Sequence, residues 1–309
     1  MITTTTLNPA VDLNLEIDSL SLNRYNKIVK ATRVPGGKGI NVSKAIRAYG
    51  METMAIGFVG GHNGHFIGDE LRKNGITTNF WHIRRETRSN VIIIDKSTES
   101  HTLLSDPGPS ISERDITRFK SIFSRVMAQT EVAVLSGRLP KDVPDNIYYD
   151  LINMAKNNNI KTILDASGIP FEEGLKAGPL MAKPDLRASN NMVFQQKVTS
   201  QEMAVKVAHE IIARGAEIAV ISFQNTKDIV ATRDQVWLAE CITSDVINII
   251  GTAEALIAGF AIKLAEGEPE MSEMIQFAMA CGMASARTED LEFHSKDDIS
   301  KCLSCVKAR

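Results

Sequence analysis

Apolar and polar residues follow two different periods along this chain. Residues 38 to 49 place Val42, Ala45, Ile46 and Tyr49 on one helical face, and the apolar, strand-like MAIGFVGG follows. Ser112 to Asp115 resembles a capping box ahead of Ile116, Phe119, Phe123 and Val126, after which EVAVLSG reads as a buried strand. IYYDLINMAKNNN, IKTILDAS, SQEMAVKVAHEIIARG and AEIAVISF continue helix, strand, helix, strand. Such alternation predicts a mostly parallel sheet covered by helices on both faces. NIIGTAEALIAGF, Asn248 to Phe260, reads as an apolar run that turns at Gly251 into a helix with Glu254 in its first turn. The methionine-rich MSEMIQFAMACGMASA has helical spacing and reads as core.

Three segments break the rule. VDLNLEID, NKIVKATRV and SNVIIIDKSTESHTLL alternate apolar and polar residues with no helix between paired members. They predict a small antiparallel sheet exposed on one face, built from residues about 11–34 and 88–104 and inserted in a single domain spanning 1–309. We read it as a lid.

At 309 residues, 43% hydrophobic and 23% charged, the chain can bury a large core, within the range of one large α/β domain with an appendage. A net charge of -2 and a pI near 6.3 give no long-range field for nucleic acid or an anionic membrane, so a small molecule is the expected partner. Cys241, Cys281, Cys302 and Cys305 make no disulfide framework in a chain this long, and MITTTTLNPAVD lacks the regions of a signal peptide. A cytoplasmic location is expected. No apolar run approaches the ~18 residues of a membrane span.

The first chemical constellation is PGGKGINVSKA, Pro35 to Ala45. Glycines around Lys38, just before a helix, let backbone N–H groups approach an anion or a sugar, and Asn41 offers an amide from the first turn. A plain turn would look the same. Other pieces point the same way: Asp12 and Arg88 stand at strand starts, and VLSGR ends a buried strand at Ser136 and Gly137. Cys302 and Cys305 form a C-x-x-C without a second pair or histidine spacing, and read as surface or partly buried thiols rather than a zinc site. His62, His65 and His101 read as surface residues in or near loops.

TLNPAVD, GGKGINVSKA, ETRSN, DPGP, LSGRLP, LDASG and AKPD occur in an order and spacing that resemble the PfkB carbohydrate kinases, most closely the 1-phosphofructokinase and tagatose-6-phosphate kinase branch. The resemblance covers nearly the whole chain. It implies a ribokinase-like three-layer α/β/α domain with a small β-sheet lid, often paired with a second lid in a homodimer, with ATP and Mg2+ as cofactors and a phosphorylated sugar as substrate. Asp12 would then bond sugar hydroxyls, with Gly37, Asn41, Ser136 and Gly137 around the acceptor. Lys27, Lys38 and Arg88 would face the phosphate already on the sugar, for which an arginine fork and point-charge lysines are a suitable receptor. Lys27 reads equally as a solvated strand lysine. Arg138 departs from the small hydroxyl residue usual in the family, and either contacts the phosphate or fills the pocket mouth.

On the nucleotide side the resemblance implies a G-A-G-D turn whose N–H groups form an anion hole and whose aspartate takes the acceptor proton. This chain has Gly251, Thr252, Ala253 and Glu254. A Cβ at 253 opposes close approach, and the longer Glu254 displaces its carboxylate by roughly 1 Å. A misplacement of that size costs on the order of 100-fold in rate. The family's N-x-x-E after the K-P of Lys183 is Asp185, Leu186, Arg187, Ala188 here, which leaves Asp185 as the candidate metal ligand. Its S-x-G-x-x-G is Ser222, Phe223, Gln224, Asn225, Thr226, Lys227, with both glycines replaced by larger residues beside the nucleotide. Two functions follow: an ATP-dependent kinase of a ketohexose monophosphate with reduced efficiency, or a silent pseudokinase that senses a sugar phosphate.

Overall fold

The computed structural model describes residues 1–224, 226–241, 251–267, 269–288 and 295–308. The apolar run predicted just before Gly251, and Asn225, lie outside the described residues. From the N-terminus, β1 (Ile2–Thr6) enters the main sheet, β2 (Ala10–Ile17) and β3 (Ile28–Gly36) leave it, and α1 (Lys38–Ala48), β4 (Thr53–Gly60) and α2 (Gly61–Lys73) return. Short β5 (Thr77–Thr78) and β6 (Trp81–Ile83) both pair with β4, and β7 (Arg88–Asp95) and β8 (Ser100–Leu104) join β2 and β3 in a second sheet. The alternation resumes as α3 (Glu113–Met127), β9 (Val132–Ser136), α4 (Ile147–Lys156), β10 (Lys161–Ala166), α5 (Gly168–Leu175) and β11 (Met181–Pro184). A ribbon of β12 (Met192–Val193) and β13 (Gln196–Lys197) precedes α6 (Gln201–Ala213), β14 (Ile218–Gln224), β15 (Lys227–Ala231) and β16 (Val236–Cys241). Last come α7 (Thr252–Glu266), α8 (Met271–Ala286), α9 (Lys296–Leu303) and β17 (Val306–Ala308).

The main sheet has the order β17-β16-β15-β14-β11-β10-β9-β1-β4-β5, parallel from β14 to β5 and antiparallel beyond β14. Two apolar layers sandwich it. Phe119, Phe123, Tyr148, Leu151, Phe171 and Ile211 pack one face under α3 to α6, and Val42, Ile46, Phe260, Ile275 and Ile299 pack the other under α1 and α7 to α9. This is the ribokinase-like α/β/α arrangement. Helix α3 starts where its cap predicts, with the Asp115 N–H donating to Ser112 Oγ at 3.2 Å and that hydroxyl donating to the Asp115 carboxylate at 2.6 Å. The central β1 is a run of buried threonines: the hydroxyl of Thr3 bonds Thr130 at 2.8 Å and that of Thr4 bonds Ser43 at 2.7 Å, whereas those of Thr5 and Thr6 are buried without a hydrogen-bond partner among the described residues. Threonine reads as polar, but its branched Cβ suits a buried strand once its hydroxyl has a partner.

Three expectations change. The second sheet is mixed rather than antiparallel: β2 pairs antiparallel with β3 and β7 antiparallel with β8, but β2 and β7 run parallel. No hairpin joins β2 to β7. Each leaves the same end of the main sheet, after β1 and β6, and therefore runs in the same direction. His62 and His65 lie on α2 and not in loops, because the glycine pair read as a strand end opens a helix at Gly61. Cys302 is buried, 1% exposed, where α9 packs on the second apolar layer, while Cys305 is half-buried. No helix among the described residues is long and apolar enough to cross a membrane.

Candidate active site

A cleft of about 2040 Å³ runs along the C-terminal ends of the parallel strands and under the second sheet. Open α/β sheets bind ligands at such ends. At one end of the cleft, the β3–α1 turn brings Gly36 against Asp12, where a Cβ at 36 would fall 1.9 Å from Asp12 Oδ2. Here the close approach that glycine permits is used by a carboxylate of the neighbouring strand. Gly37, with φ of 119°, holds a left-handed conformation and starts α1, from which Lys38 and Asn41 enter the cleft. Asp12 Oδ1 accepts from Asn90 Nδ2 at 2.7 Å, across the parallel β2–β7 register. Burial raises its pKa, moderated by that bond and by the charges of Lys44 and Arg88. Lys44 donates to the Pro35 carbonyl, and burial lowers its pKa to about 8 despite the nearby Asp12.

Arg88 opens β7 and is held by neutral oxygens. Its Nε and Nη2 donate to the Asn8 carbonyl at 3.1 and 2.9 Å, and its Nη1 to the Asp106 carbonyl at 2.6 Å and Ser105 Oγ at 3.2 Å. Arg138 Nη2 donates to the same Ser105 Oγ at 2.6 Å. Burial, and then the charge of Arg138, lower the pKa of Arg88. Two guanidinium groups thus converge on one hydroxyl, and among the described residues neither bonds a side-chain carboxylate. Such a pair is a receptor for a phosphate dianion. Gly137 lines the cleft between Arg138 and Lys38.

The middle of the cleft is a buried charge cluster. Lys38 Nζ lies 3.1 Å from Glu254 Oε1, 3.2 Å from Asp185 Oδ2 and 3.3 Å from Asp165 Oδ2. Burial disfavours the ammonium, yet the three carboxylates together hold its pKa well above the usual lysine value. Asp165 is fully buried, so burial raises its pKa against the pull of Lys38 and Lys183. Asp185 stands nearer the rim, and there the two lysines outweigh burial and lower it. Its other oxygen accepts from the Ala188 N–H at 3.3 Å.

Helix α7 supplies the far wall. Gly251 caps it in a left-handed conformation with φ of 86°, and Thr252, Ala253 and Glu254 of the first turn line the cleft. Arg187 Nη2 donates to Thr252 Oγ1 at 3.4 Å. Lys183, at the end of β11, is buried with Asp165, Asp185 and Asp228 as charged neighbours. Ser222 and Gln224, at the end of β14, also line the cleft, and Ser222 bonds Asp228.

The cleft therefore gathers most of the sequence-derived residues and rearranges a few. Lys38 faces the carboxylate cluster instead of a sugar phosphate beside Arg88. Ser136 is fully buried and donates to Asp165 Oδ2 at 2.7 Å, which makes it a support for that carboxylate and not a lining residue. Lys27 is exposed and does not line the cleft, and Lys227 turns away to pair with Glu240 at 2.8 Å. No group of three or more His, Cys, Asp or Glu among the described residues is arranged to hold a metal ion, and Asp185 is instead a partner of Lys38. Asp165, Lys44, Asn90, Arg187 and Asp228 were not singled out from sequence. A lone aspartate ending the apolar IKTILD was the available signal for Asp165, and the i, i+3 spacing from Asn41 for Lys44.

Residues 6–297 match the family described as pfkB family carbohydrate kinase. The chain is 30% identical over 291 residues to a 1-phosphofructokinase of Bacillus subtilis, covering 94% of each chain. It is 29% identical over 313 residues to a tagatose-6-phosphate kinase of Staphylococcus epidermidis, covering 99% of this chain and 100% of that one. Among solved structures, a possible 1-phosphofructokinase of Thermotoga maritima superposes with a TM-score of 0.93 at 30% identity, covering 100% of this chain and 99% of the other.

Proposed function

Because the chain belongs to the pfkB family of carbohydrate kinases, we propose that it transfers a phosphoryl group from ATP to a ketohexose monophosphate. The observation that carries this reading is the position of Glu254, ion-paired to Lys38 at the point where the acceptor half of the cleft meets the first turn of α7. Asp12 and Asn41 orient the sugar hydroxyls, and Arg88 with Arg138 hold the phosphate already present. Glu254 takes the proton of the attacking hydroxyl as its oxygen bonds to the γ-phosphorus. The bond from phosphorus to the bridging oxygen breaks, and its electron pair leaves on ADP. Lys38 holds the ionised Glu254 carboxylate directed at the acceptor before transfer.

ATP and Mg2+ fit the residues present. Among the described residues, four carboxylates, Asp165, Asp185, Asp228 and Glu254, have Lys38 and Lys183 as charged partners at the centre, so the cluster favours further positive charge. Magnesium that travels with nucleotide phosphates keeps most of its waters and needs one or two carboxylates, for which Asp185 at the rim is placed. It would supply charge neutralisation on the phosphates. Ala253 adds a methyl to the phosphate-facing turn, and this supports slower transfer than a glycine would allow.

The second sheet acts as a lid formed by segments 11–34 and 88–104 within a single domain. Exposed Ile28, Val29, Leu103 and Leu104 on its β3 and β8 strands support pairing with a second copy. Four free thiols support a reducing, cytoplasmic setting. The test is ATP-dependent phosphate transfer to fructose-1-phosphate and tagatose-6-phosphate by the natural chain and by Glu254→Gln. Transfer that falls by about 100-fold or more in the variant supports the kinase. Tight sugar-phosphate binding without transfer in the natural chain favours the sensor, a reading supported by the missing carboxylate at Ala188.

A further inference from the structure

We propose that Arg187 is a built-in arginine clamp on the transferring phosphoryl group, a catalytic residue standing beside the position from which the carboxylate is missing. The inference rests on the kinase reading. In the resting structure the guanidinium lies against the first turn of α7, where Nη2 donates to Thr252 Oγ1 at 3.4 Å. That bond is long and neutral, and among the described residues it is the one hydrogen bond Arg187 makes and no carboxylate pairs with it. Arg187 is exposed and lines the cleft together with Ala188, whose small side chain leaves the guanidinium room to turn.

The location decides the role. Glu254 is two residues along α7 from Thr252 and is buried against Lys38, so the attacking oxygen and the phosphorus must meet within a side chain's length of Arg187. In a loose transition state, charge spreads over the three equatorial phosphoryl oxygens, and a planar fork of donors stabilises them better than a point charge. The positive end of α7 contributes from one side and Arg187 from the open side. No bond to Arg187 forms or breaks; it exchanges the Thr252 hydroxyl for phosphoryl oxygens.

The experiment compares the natural chain with Arg187→Ala and Arg187→Lys in two arms. The first measures steady-state transfer to fructose-1-phosphate and tagatose-6-phosphate. The second measures calorimetric affinity for magnesium complexes of ADP and of a non-hydrolysable ATP analogue. Arg187→Ala is expected to lower kcat by about 100-fold or more with sugar-phosphate KM within about twofold, Lys to recover a small part, and millimolar guanidinium to rescue Ala. Affinity for the ATP analogue should fall about tenfold relative to ADP, since only the former presents a γ-phosphoryl group. An Arg187→Ala enzyme with unchanged kcat overturns the proposal, as does a loss of kcat that Arg187→Ala shares equally with affinity for ADP and for the ATP analogue, which marks a structural role. If the natural chain transfers to neither sugar, the kinase reading fails on its own, and the affinity arm still decides: equal effects on ADP and analogue overturn the clamp.

Discussion

The two halves of the cleft settle charge in opposite ways. In the acceptor half, Arg88 and Arg138 bind carbonyl and hydroxyl oxygens, and their positive charge is left without a bonded side-chain carboxylate. In the donor half, carboxylates and lysines settle one another, three acids around Lys38 and three around Lys183, with carboxylates in excess. An acceptor anion can therefore enter a field already prepared for it. A donor anion meets carboxylates, and enters best with a cation of its own. Preorganisation for an anion and preorganisation for an ion pair call for different residues, and the two ends of one cleft have them.

Removing the cation that holds the donor half together should have the largest effect. Lys38→Met leaves Asp165, Asp185 and Glu254 without their shared partner, and the loss of a buried pair's cation is expected to destabilise by about 3–5 kcal/mol. Urea unfolding at pH 7 measures it. The destabilisation should shrink when Glu254→Gln and Asp185→Asn are added, because the charges that Lys38 balanced are then gone. If Lys38→Met alone unfolds like the natural chain, the cluster is not balanced through Lys38, and the contrast between the halves collapses.

The arginines of the acceptor half should respond in binding more than in stability. Arg88→Ala is expected to weaken fructose-1-phosphate or tagatose-6-phosphate binding by about 1.5–3 kcal/mol, read by calorimetry. Arg138→Ala should cost less, since its guanidinium is the more exposed of the two. Lys27→Ala should cost least, because Lys27 does not line the cleft. An order that places Lys27 first would mean that the phosphate lies elsewhere.

These residues also mark what the sequence made legible. The parallel sheet and its helical cover follow from hydrophobic period, and the second sheet's segments from alternation, because burial on two faces or on one leaves a local trace. The polar β1 left none, since the partners of its Thr3 and Thr4 hydroxyls, Thr130 and Ser43, are distant in sequence, and the Thr5 and Thr6 hydroxyls are buried without one among the described residues. Site residues at chain turns, such as Asp12, Gly37 and Arg88, were visible through their neighbours. The role of Lys38 was not. It stands beside the cleft-lining Gly37 and Asn41, and only the approach of β10, β11 and α7 in space decides that its ammonium meets Asp165, Asp185 and Glu254. Arg187 carries no local signal of its own inside its motif, because its contact, Thr252, lies 65 residues away along the chain.

Returning close approach to the α7 turn should sharpen the donor half. Ala253→Gly removes the Cβ from the phosphate-facing turn and is expected to raise kcat on the order of 10-fold, with sugar-phosphate affinity unchanged. Adding Glu254→Asp tests whether the longer arm is itself a handicap. Helix stability limits the gain, since a glycine in α7 loses up to about 1 kcal/mol, so folding is followed in the same samples. A fall in kcat in the folded Ala253→Gly chain would show that the methyl group positions the phosphoryl group and does not crowd it.

The smallest effect, and the most specific to the acceptor half, is a pH response from Lys44. Burial lowers its pKa to about 8 from the ordinary 10.5, so its ammonium is lost as pH rises through 8 in the folded chain, while the unfolded chain keeps it until about 10.5. Between those values the unfolded state holds more protons, and stability contributed by this group rises with pH. Sugar-phosphate affinity should move the other way, falling about threefold from pH 7 to 9, because a positive charge beside Asp12 is lost while the phosphate ligand stays doubly charged. Cys241 complicates the stability curve. Burial raises its thiol to about 11 from 9.0, so the unfolded chain loses that proton first and stability falls over the same range. Subtracting a Lys44→Met curve from that of the natural chain removes the cysteine and isolates the lysine. The difference should show stability gained and affinity lost across one window centred above pH 8. If both quantities move in the same direction, the titrating group is not Lys44, and the charge that prepares the acceptor half comes from Arg88 and Arg138 alone.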